Sequence, residues 1–231
     1  FKYQNPMCGI LGYIGTEKAA PILINGLKKL EYRGYDSAGI ATINRNDVII
    51  EKDTGKVEDV EKKIDFSAFD GVVGLAHCRW ATHGKVTKEN AHPHLDCRNE
   101  IIVVHNGIIE NYMKLKEKLI SKGHKFISET DTEVIPHLIE EYYDGMIEDA
   151  VKLALKDIEG SYAIGVISKR EPNKIIAARN ESPLILGKGK TGMFIASDVP
   201  AILEYTKNVV YLEDKEIAVL TANDFRVYGL D

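Results

Sequence analysis

At 231 residues, with 44% hydrophobic and 28% charged content, the chain can hold one substantial core or two small domains and has an ordinary globular make-up. A net charge of −5 gives no footprint for nucleic acid, no apolar run approaches the roughly 20 residues of a membrane span, and no basic-then-apolar leader opens the chain. Three cysteines, Cys8, Cys78 and Cys97, lack any CxxC spacing, which argues against a disulfide framework and for a reducing, cytoplasmic setting.

In chain order, Gly9–Gly15 reads as a buried strand, and Lys18–Leu30 carries apolar residues at helical spacing. Ser37–Ile43 and Val48–Lys52 read as paired strands around an Asn44–Asp47 turn. Gly71–His77 and Ile101–His105 are further strands, separated by a polar stretch, Gly84–Asn99, too long and irregular for a core element; such loops are usually functional or disordered. Helices follow at Tyr112–Ser121, Thr132–Tyr143, with Asp131 near its N-cap, and Met146–Leu155. Strands then dominate: Tyr162–Ser168, Lys174–Ala178, Leu184–Gly187, Met193–Ala196, Val209–Leu212, Glu216–Leu220 and Phe225–Tyr228, with a short helix near Pro200–Glu204. Strands in bulk with helices grouped between them predict an α+β fold of packed sheets with helices outside.

The run Met7-Cys8-Gly9-Ile10 reads like a translation start that leaves Cys8 with a free α-amino group. Residues 1–7 are therefore expected to be an N-terminal extension, with Phe1–Pro6 a cloning remnant or a pro-segment, and residues 8–231 a single domain. A thiol and an amine on one residue supply a nucleophile and a base together; the bland alternative is a thiol packed in a first strand. Five further segments concentrate polar groups at element ends: Tyr32–Gly39, His77–Gly84, Asn90–His94, His105–Asn111 and Glu129–Glu133. Each alone admits a plain reading, since Asn-Gly is a common turn and Asp131 could simply cap a helix.

Together with Cys8, the segments Arg33-Gly34-Tyr35-Asp36-Ser37, Arg79-Trp80-Ala81-Thr82-His83-Gly84, Asn90-Ala91-His92-Pro93-His94, His105-Asn106-Gly107 and Glu129-Thr130-Asp131 resemble the class II glutamine amidotransferases. The resemblance runs in the family's order from Cys8 to near the C-terminus. Within the family, the motifs look like the glutaminase domain of glutamine–fructose-6-phosphate aminotransferases, the hexosamine-synthesising branch. It implies an N-terminal-nucleophile hydrolase fold: a four-layer αββα sandwich of two mainly antiparallel sheets flanked by helices.

The resemblance also implies roles. Cys8 is the nucleophile, and Asn106 with the Gly107 backbone N–H forms the oxyanion hole, the glycine allowing close approach to substrate. Arg79 holds the α-carboxylate of L-glutamine and Asp131 its α-ammonium. Trp80, Thr82 and His83 line the pocket, Arg33 orders the terminal residue, and His92 lies in a supporting loop. For His94, His105 and Cys97 a structural placement and a functional one both stay open, and Cys78 is read as a packed thiol. Lid closure by the loops around Arg79–Gly84 and Cys8 is expected.

No cofactor is implied. The run Gly187–Gly192 lacks phosphate-loop spacing, and Cys78, Cys97 and the histidines between 77 and 105 match no zinc motif, so no metal is expected. The implied partner is the sugar isomerase domain of a full-length enzyme, expected to lie outside residues 1–231, and the full enzyme is expected to be a homo-oligomer. Phosphoribosyl-pyrophosphate amidotransferases share the cysteine but usually carry Tyr-Ser-Thr where this chain has Trp80-Ala81-Thr82. The glutaminase domain of asparagine synthetases matches less well for the same reason. A non-catalytic glutamine-binding module is the reading if Cys8 is never freed.

Overall fold

The computed structural model describes residues 8–44, 47–80 and 85–230, with the Arg33 side chain outside that description. Strand β1 (Gly9–Gly15) alternates its side chains between two layers: Leu11 and Tyr13 point to one apolar cluster, Ile10 and Ile14 to another. Helix α1 (Ala19–Lys28) follows and lays Leu23 and Leu27 on the first cluster. Strands β2 (Ser37–Asn44), β3 (Asp47–Thr54) and β4 (Val73–Arg79) continue the same sheet, with α2 (Val57–Glu61) covering it through Val57 and Val60.

The second sheet begins with β5 (His94–Leu95) and β6 (Ile101–Ile109). Helices α3 (Tyr112–Ser121), α4 (Val134–Tyr142) and α5 (Ile147–Asp157) come next, then β7 (Gly160–Ser168) and β8 (Ile175–Asn180). Strands β9 (Ile185–Lys188), β10 (Gly192–Ala196) and β11 (Val209–Tyr211) return to the first sheet, and β12 (Glu216–Leu220) and β13 (Phe225–Gly229) complete the second. Among the described residues the first sheet has the order β11-β9-β10-β1-β4-β2-β3 and the second β13-β12-β8-β7-β6-β5. Among the described residues the strands pair antiparallel in both sheets.

Three apolar layers hold this together. One lies between α1, α2 and the first sheet, one between α3–α5 and the second sheet, and one between the sheets. The result is the expected αββα sandwich. Between the sheets, Gly12 on β1 and Gly165 on β7 face the same two side chains. A Cβ on Gly12 would come within 2.7 Å of Ile195 Cγ1 and 2.9 Å of Leu75 Cδ2; one on Gly165 would come within 2.6 Å of Ile195 Cδ1.

Four details differ from the sequence reading. β6 runs past His105 to Ile109, so Asn106-Gly107 lies inside a strand paired with Ala163 and Tyr162, and is not a turn. α4 begins at Val134, and Asp131 does not cap it; its Oδ2 instead accepts the Ile109 N–H at 2.8 Å. The short α2 escaped notice because Val57 and Val60 alone set no period among charged neighbours. The helix near Pro200 is a single 3₁₀ turn, Val199–Ala201. Among the described residues, no helix is long and apolar enough to cross a membrane.

Candidate active site

Cys8 stands directly before β1, which pairs with β10 on one side and β4 on the other. The first residue of interest is therefore mounted on the middle strand of a seven-stranded sheet. Beside it, β4 ends at Arg79, and the next residue wraps the thiol: the Trp80 backbone N–H donates to Cys8 Sγ at 3.2 Å, and the thiol lies 3.4 Å from the Trp80 carbonyl oxygen. Burial pushes the Cys8 thiol above its ordinary range, while the Trp80 amide and the Arg79 guanidinium pull it down. Cys78, two residues ahead of Trp80, is buried in the layer under α1, as a packed thiol should be.

Asn106 comes from the other sheet. Its Nδ2 donates to the Cys8 backbone carbonyl at 2.9 Å, and its Oδ1 lies 2.9 Å from His77 Nε2. His77 Nε2 is also 3.0 Å from the His105 carbonyl oxygen. Both neighbours are acceptors, so Nε2 carries the ring proton and donates. Burial lowers the His77 pKa to about 3, which keeps the ring neutral with that tautomer across the ordinary pH range. His77 thus fixes which end of the Asn106 amide faces Cys8. His77 continues the inter-sheet face of Val73 and Leu75, and Asn106 that of Ile102 and Val104, so the hydrogen bond between them spans the two sheets.

Gly107 has φ +130°, and a Cβ there would lie 2.1 Å from the Ser161 carbonyl oxygen. Glycine is required because β7 passes this close and because of the backbone angle. These are reasons beyond the close approach to substrate that the resemblance implies.

Arg79 is almost fully buried; its Nη1 donates to the Lys85 carbonyl at 3.3 Å and lies 4.0 Å from Asp36 Oδ1. The loop after it is tied down by Asn90, whose Nδ2 donates to the Lys85 carbonyl at 2.9 Å and whose Oδ1 accepts the Glu129 N–H at 2.9 Å. Lys52 on β3 donates to the Ala91 and Pro93 carbonyls at 2.6 and 2.9 Å. The loop expected to be functional is therefore ordered by charge-assisted bonds to backbone oxygens.

The other expected residues divide. Trp80 meets Cys8 through its backbone, and its side chain is largely exposed. Arg33 ends a 3₁₀ turn, Glu31–Arg33, before Gly34. Thr82 and His83 lie outside the described residues. His92 is buried behind the site: its ring stacks on His77 at 4.0 Å between centroids, and its Nε2 is 3.1 Å from Thr132 Oγ1. Thr132 Oγ1 also meets His105 Nδ1 at 2.8 Å, and His94 Nε2 meets Thr130 Oγ1 at 3.1 Å, so both buried rings are held by threonine hydroxyls. His77 and Thr132 are the members sequence reasoning missed. Both sit inside quoted motifs, and the period-2 face shared with Val73 and Leu75 was the available signal for His77.

A cavity of about 710 Å³ opens elsewhere, lined by Lys52, His94, Cys97, Lys125, Glu133 and His137 among others. Cys97 belongs there to a group with His124, His137 and Glu140 whose donor atoms converge.

Comparison with known proteins matches residues 77–204, more than half of the chain, to the model of a glutamine amidotransferase domain. The chain is 52% identical over 223 residues to a glutamine–fructose-6-phosphate aminotransferase [isomerizing] of Clostridium acetobutylicum, covering 96% of this chain and 37% of the relative. It is 54% identical over 228 residues to the enzyme of the same name from Methanothermobacter thermautotrophicus, covering 97% and 38%. Among solved structures, the Bacillus subtilis glutamine phosphoribosylpyrophosphate amidotransferase superposes with a TM-score of 0.85 at 26% identity, over 97% of this chain and 49% of that one. The fold is thus that of the N-terminal-nucleophile amidotransferases. With Cys8 and Asn106 set against each other across two sheets, and with these matches, the chain belongs to the glutamine amidotransferase family, as a homologue of the glutaminase domain of glutamine–fructose-6-phosphate aminotransferases.

Proposed function

We propose that this domain hydrolyses L-glutamine to glutamate and ammonia through a γ-glutamyl thioester on Cys8, acting as the N-terminal residue. The carrying observation is the Asn106 amide held beside Cys8 by His77. The α-amine, with an ordinary pKa of about 7.7–8.0, accepts the thiol proton, which the buried thiol does not shed readily by itself. The thiolate attacks the side-chain amide carbon. The second N–H of Asn106 Nδ2 and the Gly107 N–H take the oxyanion. The C–N bond breaks as the α-ammonium returns its proton to the leaving nitrogen, and ammonia departs. Water then attacks the thioester, glutamate leaves, and the thiol is restored.

Arg79, already fixed by Lys85 and Asp36, serves the α-carboxylate of glutamine, and Asp131, pinned by the Ile109 amide, the α-ammonium. Trp80, Thr82 and His83 complete the pocket, and Arg33 orders the terminal residue. His92 supports His77 from behind.

The chain spans about 37% of the length of the relatives it matches. In a full-length protein of that kind the ammonia would pass to fructose 6-phosphate on a sugar isomerase domain. The domain division at residue 8 belongs to the same reading, because an amide nitrogen on Cys8 is not basic. Glutamate release by protein whose N-terminus is Cys8 by intact mass, and its loss when Phe1–Met7 precede Cys8, is the expected result. A trapped adduct of glutamyl mass on Cys8 identifies the intermediate. Equal turnover by both forms would remove the α-amine from the mechanism.

A further inference from the structure

Away from the residues placed around Cys8, four side chains from three segments meet at one point. Cys97 lies in the turn after β5, His124 just past the end of α3, and His137 and Glu140 one turn apart on α4. Cys97 Sγ is 3.5 Å from His124 Nδ1 and 3.5 Å from His137 Nδ1, and the two Nδ1 atoms are 3.1 Å apart. Glu140 Oε2 lies 3.3 Å from His124 Nδ1 and 3.7 Å from His137 Nδ1. All four donor atoms fall within 4.8 Å of one another. A tetrahedral zinc ion, with bonds of about 2.3 Å to sulfur and about 2.0–2.1 Å to nitrogen, sets its ligand atoms roughly 3.3–3.6 Å apart. The measured separations cluster around those edges.

The outer partners explain why these atoms converge. His124 Nε2 is 2.9 Å from Glu141 Oε1, and His137 Nε2 faces Glu133 Oε1 at 3.8 Å without a hydrogen-bond partner in reach. The Glu141 carboxylate holds the His124 proton on Nε2, which leaves His124 Nδ1 a bare lone pair. That lone pair faces His137 Nδ1, beside a carboxylate oxygen and a sulfur. Four atoms able to act as ligands and brought this close suit a shared cation. Carboxylate behind imidazole is the outer arrangement usual for histidines that bind metal.

We propose that Cys97, His124, His137 and Glu140 form a structural zinc site. Four protein ligands fill the tetrahedron and leave no open position, so the ion holds structure and does no chemistry. A thiolate with two imidazoles and a carboxylate suits zinc better than the oxygen-seeking cations. The 710 Å³ cavity, lined by Cys97 and His137, gives the ion a way in. The metal clips the β5–β6 turn and the α3–α4 link to α4. The sequence expectation of no metal searched only residues 77–105, and the fold brings His124, His137 and Glu140 from beyond that window.

The test uses the whole chain, stripped with a chelator and titrated with Co²⁺ alone as a spectroscopic stand-in for Zn²⁺. The expected result is one ion per chain, with a thiolate-to-cobalt charge-transfer band and the visible bands of a tetrahedral site, displaced by added Zn²⁺. The band survives in Cys8→Ala and is lost in Cys97→Ser, whose far-ultraviolet circular dichroism is unchanged because Cys97 is exposed. Glu141→Gln weakens Zn²⁺ binding about 10–100-fold. Failure of the wild-type chain to take up either ion, or a band that persists in Cys97→Ser or disappears in Cys8→Ala, overturns the site. Glutaminase activity is not the readout, so the proposal stands or falls separately from the function of Cys8.

Discussion

In the proposed mechanism Asn106 is one of two oxyanion donors, so Asn106→Ala is expected to lower kcat about 10²–10³-fold with KM nearly unchanged. His77 bonds the Asn106 side chain and, in the proposed mechanism, positions it. His77→Phe keeps the ring volume, loses the Nε2–H, and is expected to lower kcat about 10²-fold, the scale of a misplaced catalytic group. His77→Gln, which restores a donor, recovers part of that loss. In an Asn106→Ala background, His77→Phe adds little, because the group it orients is already gone. Steady-state kinetics of the four proteins check this; independent, multiplying losses would show that His77 acts by some route other than Asn106.

At the scale of elements, β6 carries both Asn106 and the crowded Gly107, and it depends on β7 lying flat against it. Gly107→Ala meets the Ser161 carbonyl oxygen and a φ of +130° together. It is expected to destabilise the fold by about 3 kcal/mol or more, read as a lower urea midpoint. The same strand shows what sequence could and could not tell. Ile101–Val104 gave β6 away by its apolar run, but Asn106-Gly107 has turn chemistry, and only pairing with Ala163 and Tyr162 reveals that the strand continues. Asp131 was legible as a candidate carboxylate but not as a partner of the Ile109 amide, because that contact joins segments 22 positions apart. Cys8 was legible as a candidate from the Met7-Cys8 start, and Asn106 and Arg79 from their dense polar motifs. His77 was not singled out, because a histidine on an apolar strand face looks like core until its Nε2 partners are known.

Across the whole molecule, buried neutral histidines make acid the predictable weakness. Burial holds His77 at about 3, His92 and His94 well below the ordinary imidazole range, and His105 below it. Unfolded histidines take up protons near pH 6.5, before the folded ones, so stability falls as pH drops below that value. His77 alone contributes a loss of about 2 kcal/mol by pH 5. Thermal midpoints measured from pH 7.5 to 4.5 are expected to fall steeply below pH 6.5 at fixed ionic strength. A flat profile there would mean these rings are protonated within the fold.

The glycines between the sheets carry a different implication. Cys8 leads into one sheet and Asn106 lies in the other, so the gap between the proposed nucleophile and the proposed oxyanion donor is set by the thickness of the layer that Gly12, Gly165, Leu75 and Ile195 fill. That layer acts as a caliper. Gly165→Ala is expected to lower kcat at temperatures where the fold remains intact, because a wedge at the jaws' far end opens the tips. Activity and circular dichroism measured on the same sample separate the two effects. For anyone filling this domain's interior to stabilise it, the inter-sheet layer is the one to leave alone: it has no room for an added methyl, and forcing one in would put the chemistry out of gauge.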